Sequence, residues 1–102
     1  LIWLSFTPQA GREQAGRRPA LVLSPRSYNT LVGLCVVCPV TSHPKGYAFE
    51  VPLPEGLPVQ GVVLADHVKS ADWRERRGEY IATAPEEVLD EVRAKLKPLL
   101  GV

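Results

Sequence analysis

The chain has 102 residues, 45% of them hydrophobic and 23% charged, with a formal net charge of +1. That length suits one domain with one core, and the apolar and charged shares exclude a disordered tail, a collagen-like fibre and a disulfide-scaffolded miniprotein. The longest uncharged apolar run, Leu31 to Val40, is broken by Gly33 and Pro39 and falls far short of the ~20 residues of a membrane span.

In chain order, Ile2-Trp3-Leu4-Ser5-Phe6 is β-branched and aromatic and predicts a first strand. Pro8 to Arg17 has two glycines, a proline and no apolar period, so a long loop is expected there. Arg18 to Ser24 predicts a second strand with Pro19 at its start. Pro25 to Gly33 reads as a turn or one helical turn, and Leu34 to Ser42 as a central strand rich in Leu, Val and Cys. Phe49-Glu50-Val51 is a further strand, after which Pro52, Pro54 and Pro58 interrupt pairing. Gly61 to Ala65 predicts a buried strand running on through Val68. Trp73 to Gly78 is a charged turn, and Glu79 to Thr83 a last strand.

The end of the chain predicts a helix. Pro85 suits the first position and Glu86 and Glu87 suit the positive end of the dipole. Val88, Leu89, Val92, Leu96 and Leu99 recur at helical spacing, and Pro98 is expected to end or kink the helix near Leu96. Many short strands and one helix point to a mainly β (α+β) small twisted barrel with a C-terminal helix.

Cys35 and Cys38 have the C-x-x-C spacing but lack the second pair of a zinc ribbon. Their apolar flanks read as strand, so alternation puts the two thiols on opposite faces as buried small hydrophobes. Reduced cysteines fit a cytoplasmic protein. No carboxylate or Cys/His set has metal-ligand spacing, so no metal or other cofactor is expected. No secretory signal is visible, and the chain opens on Leu1 without a Met.

Charge is unevenly placed. Residues 1–50 hold five bases and two acids, a net +3, and residues 51–102 seven bases and nine acids, a net −2. A mildly basic first half suits a polyanion. The polar loop brings Glu13, able to take a proton, within five residues of Arg18, able to hold a phosphate bidentately. The end of the central strand adds Thr41, Ser42, His43 and Lys45. On the residues alone, a solvated loop whose Glu and Arg pair for ~0–1 kcal/mol is the simpler reading.

Longer stretches change that weighting. Leu1 to Pro8, the run from Gly11 through Glu13-Gln14-Ala15-Gly16-Arg17-Arg18-Pro19 to Pro25, Thr41 to Val51, and Gly61 to Ser70 resemble the MazF/PemK (Kid) family of toxins, in the same order and over essentially the whole chain. The resemblance implies one toxin domain over residues 1–102 and an SH3-like barrel with helices, assembled as a homodimer. It also implies metal-independent, sequence-specific cleavage of single-stranded RNA, and an antitoxin whose acidic tail covers the RNA groove. Carried over residue by residue, the catalytic Glu falls on Glu13, the catalytic Arg on Arg18 and the strand-end hydroxyl on Thr41. In the Kid branch an Asp takes part in catalysis, and it aligns with Asp66, so Glu13 and Asp66 both stand as the general base. Two features depart from the pattern. Many relatives carry Gln where His43 stands, and a relative's short Gly-Asp lead-in suggests that a few residues before Leu1 are missing here.

Gln14, Arg17, Ser42, His43, Lys45 and Lys69 are the candidate RNA contacts, and Trp3, Phe6 and Tyr47 the candidate stacking platforms. Trp3 and Phe6 share no strand face, so one of them is expected in the core. His67 is read as solvent-facing, without a chemical role. The competing class is a non-enzymatic, gyrase-poison-like toxin of the same fold, because fold does not fix function.

Overall fold

The computed structural model describes residues 1–6 and 14–102; Glu13 and most of the expected polar loop lie outside the described residues. Among the described residues there are seven strands: β1 (Ile2–Ser5), β2 (Arg17–Val22), β3 (Leu34–Thr41), β4 (Glu50–Pro52), β5 (Val62–Leu64), β6 (Lys69–Asp72) and β7 (Glu79–Tyr80). Helix α1 (Arg26–Val32) joins β2 to β3, and helix α2 (Glu86–Leu100) ends the chain. The strand order is β4-β5-β3-β2-β1-β7, with β6 also paired to β3, and every pairing is antiparallel. This is the expected mainly β fold with a C-terminal helix. The hydrogen-bonded sheet stays open, with β4 and β7 at its two ends.

β3 is the hub. Leu34 to Val37 pair with β6, Val37 to Pro39 with β2, and Val40 and Thr41 with β5. Strand alternation sends Cys35 and Val37 into one apolar cluster with Leu4, Phe6, Ala20 and Ala71. It sends Cys38 and Val40 into the other, with Leu21, Val51, Val63 and the helical residues Val88, Val92 and Leu96. The two thiols are free, buried and on opposite faces, as expected. Phe6 is the core aromatic and Trp3 only packs against the second cluster.

The structure departs from the sequence expectations at several points. The Gly61 to Val68 strand stops at Leu64, where a 3₁₀ turn over Ala65–His67 intervenes, and the chain resumes as β6. The segment before Gly33 is a seven-residue helix rather than a single turn, closed by Gly33 in the left-handed region at φ 81°. Helix α2 continues through Pro98 to Leu100. Pro98 falls in the last turn, where its missing amide costs a single bond, and the N–H groups of Gly101 and Val102 close on the carbonyls of Pro98 and Lys97. Leu99, expected on the buried face, is 46% exposed.

One glycine is fixed by a close approach. Gly61 has φ +128°, and a Cβ there would run into the carbonyl of Thr41. The Gly61 carbonyl also accepts the Leu53 N–H at 2.9 Å. Gly61→Ala is therefore expected to destabilise the protein by about 1–3 kcal/mol, read as a lowered midpoint in urea unfolding. A midpoint equal to the wild type would show that the turn relaxes without strain.

Candidate active site

The candidate residues that can be placed lie along one face, in three adjoining cavities. The first, about 310 Å³, is lined by Phe6, Gln14, Asp66, His67 and Lys69 among others. The second, about 270 Å³, shares Gln14, Asp66 and His67 and adds Thr41, His43, Lys45 and Tyr47. The third, about 470 Å³, shares His43 and adds Trp3, Arg17, Arg18, Ser42 and Gln60. They form a groove running from Lys69 to Arg18 with His43 in its middle. A larger cavity of about 530 Å³, bordered by Leu1, Ile2, Trp73, Tyr80 and Leu89, collects none of the expected catalytic or RNA-contacting residues.

Arg18 is held by neutral backbone groups. Its Nε and Nη2 donate to the Ala15 carbonyl at 2.9 and 2.7 Å, and its Nη1 donates to the Val40 carbonyl at 3.3 Å. One N–H on each Nη has no partner among the described residues. Arg17, next in sequence, borders the same cavity but pairs with Glu79 at 3.2 Å. Thr41 is buried at 7% exposure, at the last position of β3. Its Oγ1 accepts the His43 N–H at 3.2 Å, a side-chain turn that ends the strand. Ser42 Oγ lies 3.1 Å from His43 Nδ1. Arg18 and Thr41 border neighbouring cavities rather than the same one.

Across the groove, the Tyr47 hydroxyl donates to Asp66 Oδ1 at 2.8 Å. Burial, then the Asp66 hydrogen bond and the charges of Asp66 and Glu50, push the Tyr47 phenol up to about 12. Lys69 Nζ stands 6.0 Å from the centroid of the Phe6 ring, so Phe6 supports a cation from the core instead of offering a free face.

His67, expected to face solvent, is placed differently by the structure. It is half-buried and borders two of the three cavities beside Asp66. Extending a strand through Val68 puts Asp66 and His67 on opposite faces. The 3₁₀ turn puts both at the groove. The adjacent Asp-His pair was the available signal. Among the described residues no group of three or more His, Cys, Asp or Glu side chains converges as a metal site, and no helix is long and apolar enough to cross a membrane.

The open antiparallel sheet with a groove of arginine, lysine, hydroxyl and carboxylate groups defines a small β protein with one polar groove. The comparisons narrow that class. Residues 1–100 match the family model described as PemK-like, MazF-like toxin of type II toxin-antitoxin system, and the chain belongs to that family. It is 48% identical over 101 residues to the endoribonuclease toxin MazF of Escherichia coli K12, covering 99% of this chain and 90% of that one. It is 38% identical to the endoribonuclease PemK of Escherichia coli over 104 residues, covering 97% and 78%. A crystal structure of MazF from Deinococcus radiodurans superposes with a TM-score of 0.97 at 66% identity, covering 100% of this chain and 93% of that one. A MazE–MazF complex from the same organism superposes at 0.90 with 66% identity, covering 100% and 92%.

The cysteines stand apart from this chemistry. Burial, with a smaller contribution from Asp66, pushes the Cys38 thiol up to about 12, and burial with the charge of Asp72 also raises Cys35. Both thiols are therefore expected to resist iodoacetamide at about pH 8 until the protein is unfolded. Because the folded state holds these protons more tightly, the stability they contribute is complete below the unfolded thiol value of 9.0 and declines above it, for Cys38 as pH rises through about 12. Rapid labelling of the native protein, counted by mass spectrometry, would contradict this placement.

Proposed function

We propose that this protein is the toxin of a type II toxin–antitoxin system and acts as a sequence-specific endoribonuclease on single-stranded RNA, without a metal. The observation that carries the reading is the alignment of Arg18, Thr41, His43 and Asp66 along one groove, in a chain 48% identical to an endoribonuclease toxin. RNA brings its own nucleophile. The 2′-oxygen forms a bond to the adjacent phosphorus, the bond from phosphorus to the 5′-oxygen breaks, and the products carry a 2′,3′-cyclic phosphate and a 5′-hydroxyl.

In this mechanism Glu13 or Asp66 takes the 2′-proton, a step worth ~10²–10⁴-fold. The guanidinium of Arg18 stabilises charge on the phosphoryl oxygens. Its anchoring on the carbonyls of Ala15 and Val40 supports that role, since a preoriented donor needs no reorganisation during the reaction. Thr41 hydrogen-bonds the same phosphate or assists protonation of the leaving 5′-oxygen. Gln14, Arg17, Ser42, His43, Lys45 and Lys69 hold the strand. An antitoxin with an acidic tail would compete for the same cations, as the existence of MazE–MazF complexes among the solved relatives supports. The working unit is a homodimer of this single domain in the cytoplasm.

Arg18→Ala is expected to lower cleavage of RNA by at least ~10²-fold while leaving the protein folded. Cleavage at the wild-type rate, with circular dichroism unchanged, would make Arg18 a structural residue. A single deoxy substitution 5′ to the scissile bond is expected to abolish cleavage but retain much of the binding. The intact substrate is expected to be cut equally well with a chelator present. Mass spectrometry of the product ends decides the matter: a 3′-hydroxyl end, or cleavage of the deoxy substrate, would mean that water or a side chain attacks.

A further inference from the structure

Between the end of β3 and the start of β4, one carboxylate organises the groove's rim. Glu50, the half-buried first residue of β4, accepts the backbone N–H of Lys45 at 2.7 Å on one oxygen and that of Gly46 at 2.9 Å on the other. Its own N–H returns to the Tyr47 carbonyl at 3.2 Å. Hydrogen bonds to an ionised acceptor are roughly twice as strong as neutral ones. Residues 42–49 belong to no strand or helix, so these bonds, with Lys95 Nζ on the Ala48 carbonyl at 2.7 Å, set where Lys45 and Tyr47 stand.

We propose that Glu50 is a positioning residue for the cleavage reaction: by clamping the backbone of residues 45–47 it sets the Tyr47 hydroxyl on Asp66 and the Lys45 ammonium at the groove. The proposal rests on the reading of the groove as the RNA-cleaving site. Glu50 acts through Tyr47 and touches no reacting atom. Asp66 is exposed, and the Tyr47 hydroxyl on its Oδ1 fixes the orientation of its carboxylate while the second oxygen keeps its acceptor capacity. Releasing the clamp frees both groups at once.

The test uses the full chain with Glu50→Ala, Tyr47→Phe and the double variant, each checked for an unchanged circular dichroism spectrum. Each single change is expected to lower kcat about tenfold, with the double variant no worse than the weaker single one, because residues acting through one contact are not additive. Glu50→Gln keeps the reach and one acceptor, and is expected to recover part of the rate. A second readout needs no RNA. At about pH 11, phenolate absorbance is expected to differ little between the wild type and Tyr47→Phe. Between Glu50→Ala and the double variant it is expected to differ by close to one phenol, as a freed tyrosine returns toward about 10. Additive losses in kcat, an unchanged kcat in Glu50→Ala, or a Tyr47 phenol unmoved by that change would overturn the proposal. A wild type that fails to cut RNA while the phenol moves as expected would instead sink the functional reading and support the clamp.

Discussion

Burial of β3 on both faces is the constraint on which the rest of the structure depends. A strand with apolar neighbours above and below cannot alternate apolar and polar residues, and Leu34 to Val40 has no charged or strongly polar side chain. The strand stops where that double cover stops. Thr41 is still buried, while Ser42 and His43 are exposed. The polar groove begins at this boundary. Thr41 turns its hydroxyl to the His43 amide, the Val40 carbonyl accepts from Arg18, and Gly61 must be a glycine because it packs against the Thr41 carbonyl. The groove's chemistry is thus built on the last two residues of the long central strand, where positions are set by packing on all sides.

Much of this was legible from periodicity alone. The central strand, the opposite facing of Cys35 and Cys38, the apolar face of the C-terminal helix and the core role of one of the pair Trp3 and Phe6 all follow from period 2 or period 3.6. What escaped was short-range geometry with no periodic signature. The 3₁₀ turn at Ala65–His67 lies inside a run that reads as strand, and it changes the facing of His67. Helix α2 passes Pro98 because the cost of a proline depends on how many turns follow it, which a residue-by-residue rule does not contain.

The candidate site was legible in a different way. Arg18, Thr41 and Asp66 came from the likeness of long stretches to a toxin family, whereas spacing alone favoured a solvated loop. Their placement along one groove depends on pairings between strands far apart in sequence, and the positions of Lys45 and Tyr47 beside them on the fold-back of residues 42–49 to Glu50. Neither is a local property. The Glu50 carboxylate, a plain strand-opening acid in the sequence, becomes an organising group only when the amides of Lys45 and Gly46 are seen to meet it.

Arg17 and Arg18 show how the fold separates two identical side chains by their anchors. Arg17 is matched with the carboxylate of Glu79, so its charge is already compensated, and the pair is exposed enough to be worth about 0–1 kcal/mol. Arg18 is anchored on two carbonyl oxygens. A carbonyl dipole orients a guanidinium and satisfies its N–H groups without cancelling its net charge. The energetic cost of immobilising the side chain is met during folding, and among the described residues no carboxylate pairs with its charge. A carboxylate in the place of the Ala15 carbonyl would hold Arg18 more tightly, and it would weaken the attraction for the anion the groove is proposed to bind.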